Sequence, residues 1–357
     1  MQPINRISLL FLLSLPIFFG TARASDGWKW NSRTDLSFVQ DNNVLESVTG
    51  AVSDITARIF ADINGARQLS PSASLSFDYK GGAEAYKAYT SENRMIHDLS
   101  TRFLLGILPN LSVGLSLQTR TKTFFQAKRG YILLQGAPSL RWKLGTGSRA
   151  SLFAAYTFLD YADGAVFDFR RLNAGIRYDL ALSSRATWSI QALLGRIAYR
   201  RNALDYRPLA EDLYQWIILD ADQRDTIREI SSTLEFYYVA LIRCIGAYQW
   251  IASNSYGYSH TRPKLQVIAA KTFPWSLTLR VYWSLNLKNY GDSLQPILQV
   301  SPDTETEENS YLLIDLIKDL KDDFSLRLRL GVYRNESPFR DLYYEKTLLS
   351  LGLSKRF

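Results

Sequence analysis

The sequence predicts an all-β protein: a transmembrane antiparallel up-and-down β-barrel of about 16 strands, within a range of about 14–18, preceded by a signal peptide. Three observations support this fold class. The chain begins with an apolar leader, most of the remainder alternates apolar and polar side chains, and short connections alternate with long ones. The predicted organisation is a signal peptide over 1–24 followed by one barrel domain over 25–357.

The leader has the three parts of a secretory signal. Arg6 precedes an apolar stretch over 7–20, and the small residues Ala22 and Ala24 are spaced as a signal peptidase requires, so cleavage is expected between Ala24 and Ser25. The apolar stretch is shorter than the roughly 20 residues of a membrane-spanning helix. We therefore expect the chain to be exported from the cytoplasm.

A period of two is the main secondary-structure signal. In 275–287 the odd positions are all apolar, and in 324–332 the even positions are apolar while the odd ones are polar or Gly. Such a segment forms a strand with one apolar and one polar face. The predicted strands cover 27–39, 51–63, 71–80, 95–107, 110–122, 130–145, 148–161, 167–181, 184–199, 227–243, 245–258, 264–272, 275–288, 309–319, 323–334 and 343–357.

The lengths of the connections between these strands are an independent test of the fold, because the strands are predicted from the alternation alone. The short ones lie at 108–109, 145–148, 183–184, 273–274 and 321–323, and the longer ones at 40–50, 81–94, 200–226, 289–308 and 335–342. A barrel with both termini at one end has tight turns at that end and larger loops at the other. The alternation of connection lengths therefore favours a barrel.

The longest predicted connection, 200–226, contains the apolar stretch LYQWIIL at 213–219. A freely solvated loop would not carry so many apolar residues in a row. Two interpretations remain open. The segment folds into the mouth of the barrel as a constriction or plug, or it extends the two flanking strands beyond the membrane.

The last segment has a distinctive pattern. Leu349, Leu351, Leu353 and Phe357 share one face with Lys355, and the intervening residues, including Arg356, are polar or small. This segment resembles the C-terminal strand of Gram-negative outer-membrane β-barrels, in which alternating apolar positions and a final aromatic residue form an insertion signal. The resemblance implies a bacterial outer-membrane location, contact with outer-membrane lipid and lipopolysaccharide, and recognition by the barrel-assembly machinery.

That resemblance also orients the barrel. It places the short connections at 108–109, 183–184 and 273–274 in the periplasm, and the long connections 200–226 and 289–308 outside the cell. Two stretches, DLSFVQDNNVLES at 35–47 and the segment 334–357, are also similar to barrels that accompany exopolysaccharide export. This second similarity implies an alternative role in export with periplasmic partners.

Arginines are frequent on the polar faces of the predicted strands. Two interpretations are open: the arginines pair with acids and brace the wall, or unpaired ones attract anions into an aqueous lumen. Because they are spread over many strands without a binding motif, we expect no nucleic-acid partner. The candidates for lining the lumen are Arg102, Arg120, Arg141, Arg177, Arg327 and Arg329.

Aromatic residues cluster near the predicted strand ends, as in the girdles of membrane barrels. Those near the short connections are Trp28, Trp30, Trp142 and Trp275, and those near the long ones are Tyr156, Phe158, Tyr290, Tyr333, Tyr343 and Tyr344.

Few residues suit catalysis or metal binding. The chain has one Cys, Cys244, and two His, His97 and His260, with no nucleotide-binding or zinc-binding motif. We therefore predict no catalytic residue, cofactor or metal. Because His260 follows Ser259 near a predicted outer loop, a lipid-modifying enzyme at the outer rim remains a second alternative.

The function most consistent with these features is a porin-like passive channel for small hydrophilic solutes, acting as a monomer or a small homo-oligomer. A barrel of about 16 strands is wide enough for an aqueous channel.

Overall fold

The computed structural model describes residues 27–47, 50–127, 130–162, 167–210, 213–292, 310–334 and 344–357. The predicted signal peptide over 1–24, with its cleavage site at Ala24 and Ser25, lies outside the described residues. So do most of the predicted loop 289–308 and nearly all of 335–342.

The described residues form sixteen long strands, each of ten residues or more. The two-residue segment Asn289–Tyr290 pairs with the same neighbour as the strand before it, so we count it as an extension of that strand. The strands are β1 (Trp28–Asp41), β2 (Asp54–Ser70), β3 (Ala73–Tyr86), β4 (Arg94–Leu108), β5 (Leu111–Phe124), β6 (Tyr131–Lys143), β7 (Ser148–Tyr161), β8 (Phe169–Ser183), β9 (Ala186–Ala210), β10 (Leu213–Tyr237), β11 (Leu241–Ser253), β12 (His260–Phe273), β13 (Leu277–Asn286), β14 (Ser310–Asp319), β15 (Phe324–Arg334) and β16 (Glu345–Arg356).

The sheet closes on itself. Each strand pairs antiparallel with the next one along the chain, and β1 pairs antiparallel with β16 from Arg33 opposite Arg356 to Asp41 opposite Leu348. In hydrocarbon an open strand edge would leave backbone N–H and C=O groups without partners, and closure removes that cost. The predicted fold class is confirmed.

The two faces of the wall differ as the alternation predicts. On the closing strands Phe38 lies opposite Leu351, and their side chains are 57% and 53% exposed. The other face carries buried polar residues such as Ser37 and Ser350. An outward apolar surface around a closed barrel is the surface that faces lipid, so the protein is an integral barrel of the bacterial outer membrane.

The connections alternate in length around the barrel. At the end that holds Trp28 and Arg356, all seven turns have two to four residues. At the opposite end the connections have at least six residues, except the one at 211–212. We call these the short-turn end and the loop end. The turn predicted at 108–109 lies one residue later, at 109–110, because β4 includes Leu108.

Several predicted boundaries were wrong; the strand predicted at 51–63, for example, continues to Ser70. The connection predicted at 81–94 is strand over its first six residues, since β3 continues to Tyr86, and a short 3-10 turn, Thr90–Glu92, follows. The strand predicted at 227–243 ends at Tyr237, because the turn to the next strand lies at 238–240. No helix in the described part of the chain is long and apolar enough to cross a membrane.

The predicted connection 200–226 is a β-hairpin. Strands β9 and β10 each have 25 residues, and their distal parts, beyond Tyr199 and Asp225, have no neighbour in β8 or β11. About eleven unaccompanied residues at about 3.3 Å each give this part of the hairpin a length of about 35 Å along the strand. Of the two interpretations of 200–226, the described residues show extension of the flanking strands.

The projecting hairpin bends and is fastened to the loop before β12. Its ladder is irregular between Ile218 and Asp222, where β10 has more residues than β9. Near this bulge the Ser255 hydroxyl accepts a hydrogen bond from the backbone N–H of Leu204, and the rings of Tyr206, Trp216 and Tyr256 lie 4.9–5.9 Å apart. The bulge bends the hairpin, and these contacts fix the bend.

The aromatic predictions hold in part. At the short-turn end the rings of Trp28 and Trp30 stack at 5.3 Å, and the side chain of Trp275 is 83% exposed. Near the loop end Tyr156 is exposed on the outer face. Tyr333 was wrongly placed in the girdle, because it has the same parity as Arg329 and lies on the inner face. Tyr343 lies outside the described residues.

Candidate functional site: the charged inner wall

The inner face of the barrel carries the six arginines that the alternation selected. Strand pairing puts Arg327 and Arg329 between Leu326, Leu328 and Leu330, whose side chains are exposed on the outer face. The same parity argument applies to the other four, Arg102, Arg120, Arg141 and Arg177. Their contacts divide them into a paired set and a set with excess positive charge.

Arg329 and Asp315 form the most buried pair. The guanidinium Nε and Nη2 donate to the two carboxylate oxygens at 2.6 and 2.8 Å, and Asp315 is 1% exposed. Two parallel charge-assisted hydrogen bonds fix the orientation of both side chains. This arginine therefore braces the wall.

Arg327 and Arg120 are also partnered. Arg327 lies 3.9 Å from Asp35, which is held more closely by Arg33 at 2.8 Å. Arg120 donates twice to the Asp98 carboxylate, at 2.9 and 2.7 Å. The contacts of Arg327 and Arg120 therefore agree with the interpretation in which arginines pair with acids and brace the wall.

Further ion pairs lie near the loop end, outside the six candidates for lining the lumen. Glu84 is 4% exposed and contacts Arg58 at 2.9 Å and Arg94 at 2.7 Å. Lys346 contacts Asp41 at 2.9 Å. The sequence analysis missed Glu84 because it predicts a connection at 81–94, although Glu84 has the inward parity of β3.

Positive charge is in excess near the short-turn end. Arg149 and Arg177 both contact Asp179, at 3.1 and 2.7 Å. Arg102 and Arg141 form no ion pair with the described residues, and Arg141 interacts electrostatically with the other three arginines. We call Arg102, Arg141, Arg149 and Arg177 the lower basic patch; counting Asp179, the acid that two of them contact, the five side chains have a net charge of +3.

Arg149 is the member that the sequence reasoning missed. It lies directly after the turn that precedes β7, where the alternation has only begun. In the sheet Arg149 lies opposite Lys143 on one side and Asp179 on the other, which places it among the charged residues of the inner wall. The sequence could have indicated this only if the register of the three strands were known. Arginines on a low-dielectric wall with few counter-charges create a field that favours anions.

The two histidines occupy different faces. His97 is on the outer face, where its Nδ1 lies 2.8 Å from the Tyr79 hydroxyl. His260 lies on the inner face, where its Nδ1 is 2.8 Å from the carbonyl oxygen of Tyr258 and its ring is 5.0 Å from Tyr290. Among the described residues, no three His, Cys, Asp or Glu side chains converge as a metal site.

The residues of the predicted insertion signal lie on the closing strand. Leu349, Leu351 and Leu353 are 43–53% exposed on the outer face, and Phe357 is 63% exposed. The backbone N–H of Phe357 donates to the carbonyl of Ser32, next to the seam with β1. That these residues act as a signal stays a prediction.

No protein-family model matches the chain, and no curated protein matches it in sequence. Several solved structures are similar to it in shape. A bacterial polysaccharide outer membrane secretin is 6% identical, with 91% of this chain and 98% of that chain covered and a TM-score of 0.44. OccAB1 of Acinetobacter baumannii is 11% identical, with 94% and 99% covered and a TM-score of 0.49.

The toluene transporter TodX of P. putida is 10% identical, with 94% of this chain and 91% of that chain covered and a TM-score of 0.39. The barrel architecture rests on the strand pairing described above. The similarities add nothing about the solute or the partners of this chain.

Proposed function

We propose that this protein is a porin-like passive channel for small hydrophilic solutes and that the lower basic patch gives it a preference for anions. The observation that carries the proposal is the net positive charge of the patch on the inner wall. A barrel of sixteen strands has room for water along its axis, and charged side chains at a constriction set the sign of the ions that pass.

The contacts refine which arginines matter for selectivity. Arg329 and Arg120 are matched by Asp315 and Asp98, so their fields are largely cancelled. Arg102 and Arg141 have no such partner among the described residues. We infer that the solute preference depends on these two residues rather than on the paired ones.

The orientation is part of the proposal. The short-turn end, with 109–110, 184–185 and 274–276, faces the periplasm, and the loop end faces outside, so that the hairpin formed by β9 and β10 projects from the cell surface. This arrangement is the usual one for barrels whose termini lie at the short-turn end. The lower basic patch then lies near the periplasmic mouth.

Conductance in planar lipid bilayers tests the channel. We expect stepwise current increases as purified barrels insert, with a current proportional to voltage at low voltage. Insertion without current would favour the alternative, an export barrel that opens with periplasmic partners. Hydrolysis of outer-membrane lipid by the same preparation would favour the outer-rim enzyme.

A further inference from the structure

Four arginines lie on the outer face of the barrel, where membrane barrels usually present apolar residues. They are Arg170 on β8, Arg196 on β9, and Arg224 and Arg228 on β10, and all four are exposed. Their parity is that of Leu172, Leu194 and Ile230, which are 52–64% exposed on the same face. We call them the outer arginine cluster.

The register makes the cluster compact. Arg196 lies opposite Leu172 on one side and Thr226 on the other. Arg170 is two residues from Leu172, and Arg224 and Arg228 are two residues on either side of Thr226. Each is therefore one diagonal step from Arg196, at about 7–8 Å. Ala198, above Arg196 on the same strand and opposite both Arg170 and Arg224, leaves space between the guanidinium groups.

The described part of the protein does not neutralise the cluster. None of the four guanidinium groups forms a hydrogen bond or ion pair with the described residues, unlike most of the inner-wall arginines. The nearest acids of the same face, Asp160 and Asp222, are exposed and form no ion pair with them among the described residues. Counting both acids, the cluster keeps a net charge of +2.

Its height suits the outer edge of the hydrocarbon layer. Arg196 is ten residues from Ala186, where β9 begins at the short-turn end. At about 3.3 Å per residue and a tilt of about 40°, this separation is about 25 Å along the membrane normal, which equals the height of the apolar band. Arginines at this height are within reach of lipid phosphate groups.

The surroundings fit a lipid with a large charged headgroup. Trp250 lies opposite Arg228 and its ring is 4.5 Å from that of Tyr248, so an aromatic pair lies at the same boundary. Leu194, Arg228, Ile230 and Trp250 are among the residues that line a groove of about 1480 Å³. An acyl chain can lie along its apolar part while phosphates meet the guanidinium groups.

From this geometry we propose that the outer arginine cluster is a binding site for the diphosphorylated glycolipid headgroup of lipopolysaccharide, its lipid A part. Guanidinium groups bind phosphate through paired hydrogen bonds, and several of them spaced over three strands match two phosphates better than one. The choice of an outer-leaflet lipid depends on the proposed orientation of the barrel.

Native mass spectrometry of the detergent-solubilised, folded barrel with added diphosphoryl lipid A tests this site. The variant R196Q/R228Q should retain about tenfold less lipid A than the wild type, because two charge-assisted contacts are lost. The variant R102Q/R141Q has the same change in charge on the inner wall and should retain as much lipid A as the wild type. R196K/R228K should keep part of the binding.

Three further compounds in the same experiment identify what the site binds. Dephosphorylated lipid A and phosphatidylglycerol should each bind more weakly than diphosphoryl lipid A, and inorganic phosphate should not displace it. Equal retention by R196Q/R228Q, preference for phosphatidylglycerol, or displacement by inorganic phosphate would each overturn the proposal. Because the readout is lipid retention, a barrel that conducts no ions would leave this result intact.

Discussion

At the scale of single residues, the charge that the inner wall presents depends on which arginines form ion pairs with acids. The sequence alone predicts which side of a strand each arginine occupies, because parity needs only the strand. It does not predict that Arg329 meets Asp315 or that Arg102 forms no ion pair with the described residues, because those contacts depend on the register between strands. The paired and unpaired sets therefore became distinct only in three dimensions.

The Arg329–Asp315 pair gives the first prediction. Arg329→Met should lower the free energy of unfolding by about 3 kcal/mol, because it leaves the buried carboxylate of Asp315 without its bidentate partner. Urea unfolding of the barrel in lipid vesicles measures this loss. As a matched control, Arg120→Met should cost less, since the Asp98 side chain is 23% exposed and water can solvate it. An equal loss in both variants would contradict the role of burial.

At the scale of strands, all sixteen predicted strands exist, because the period of two is strong wherever one face meets lipid and the other meets polar groups. The main error was in β9 and β10, whose distal parts leave the wall. There the bulge between Ile218 and Asp222 interrupts the alternation, so periodicity could not identify the strand. Pattern reasoning works where the bilayer constrains both faces and fails where the chain projects beyond it.

The projecting hairpin gives an element-scale prediction. Replacing 204–218 with a short Gly-containing turn should leave a folded, heat-modifiable band on gels, because that segment pairs with neither β8 nor β11. Shortening β9 and β10 by the same number of residues at their short-turn ends should abolish the band, since those parts pair on both sides. Loss of the band in the first variant would show that the hairpin is needed for folding.

The closing strand, β16, gives a second prediction at this scale. Deleting Phe357 should reduce insertion into the membrane, because it removes the final aromatic residue of the predicted signal and the backbone contact to Ser32. Cell fractionation should show less folded barrel and more periplasmic protein. The variant Phe357→Tyr keeps an aromatic ring and should insert normally. Normal insertion of the truncated chain would remove the role that we assign to this residue.

At the scale of the whole molecule, the lengths of the connections distinguish the two ends of the barrel. Seven connections lie at the end that holds both ends of the barrel chain and eight at the other, and all but one of the eight are longer than the seven. Epitope tags at 211–212 and within 293–309 should be labelled on intact cells, and tags at 109–110 and 184–185 after permeabilisation alone. The opposite labelling pattern would reverse the barrel in the membrane and move the outer arginine cluster to the inner leaflet.

The central claim is an anion-preferring pore, and the reversal potential in a salt gradient across a planar bilayer tests it most directly. We expect the wild type to prefer anions, with a preference that weakens above about 0.1 M salt as the Debye length falls below about 10 Å. R102Q/R141Q should lose most of this preference, whereas R196Q/R228Q, with the same charge change on the outer face, should keep it. A cation-selective or non-conducting wild type would contradict the account and favour the export barrel.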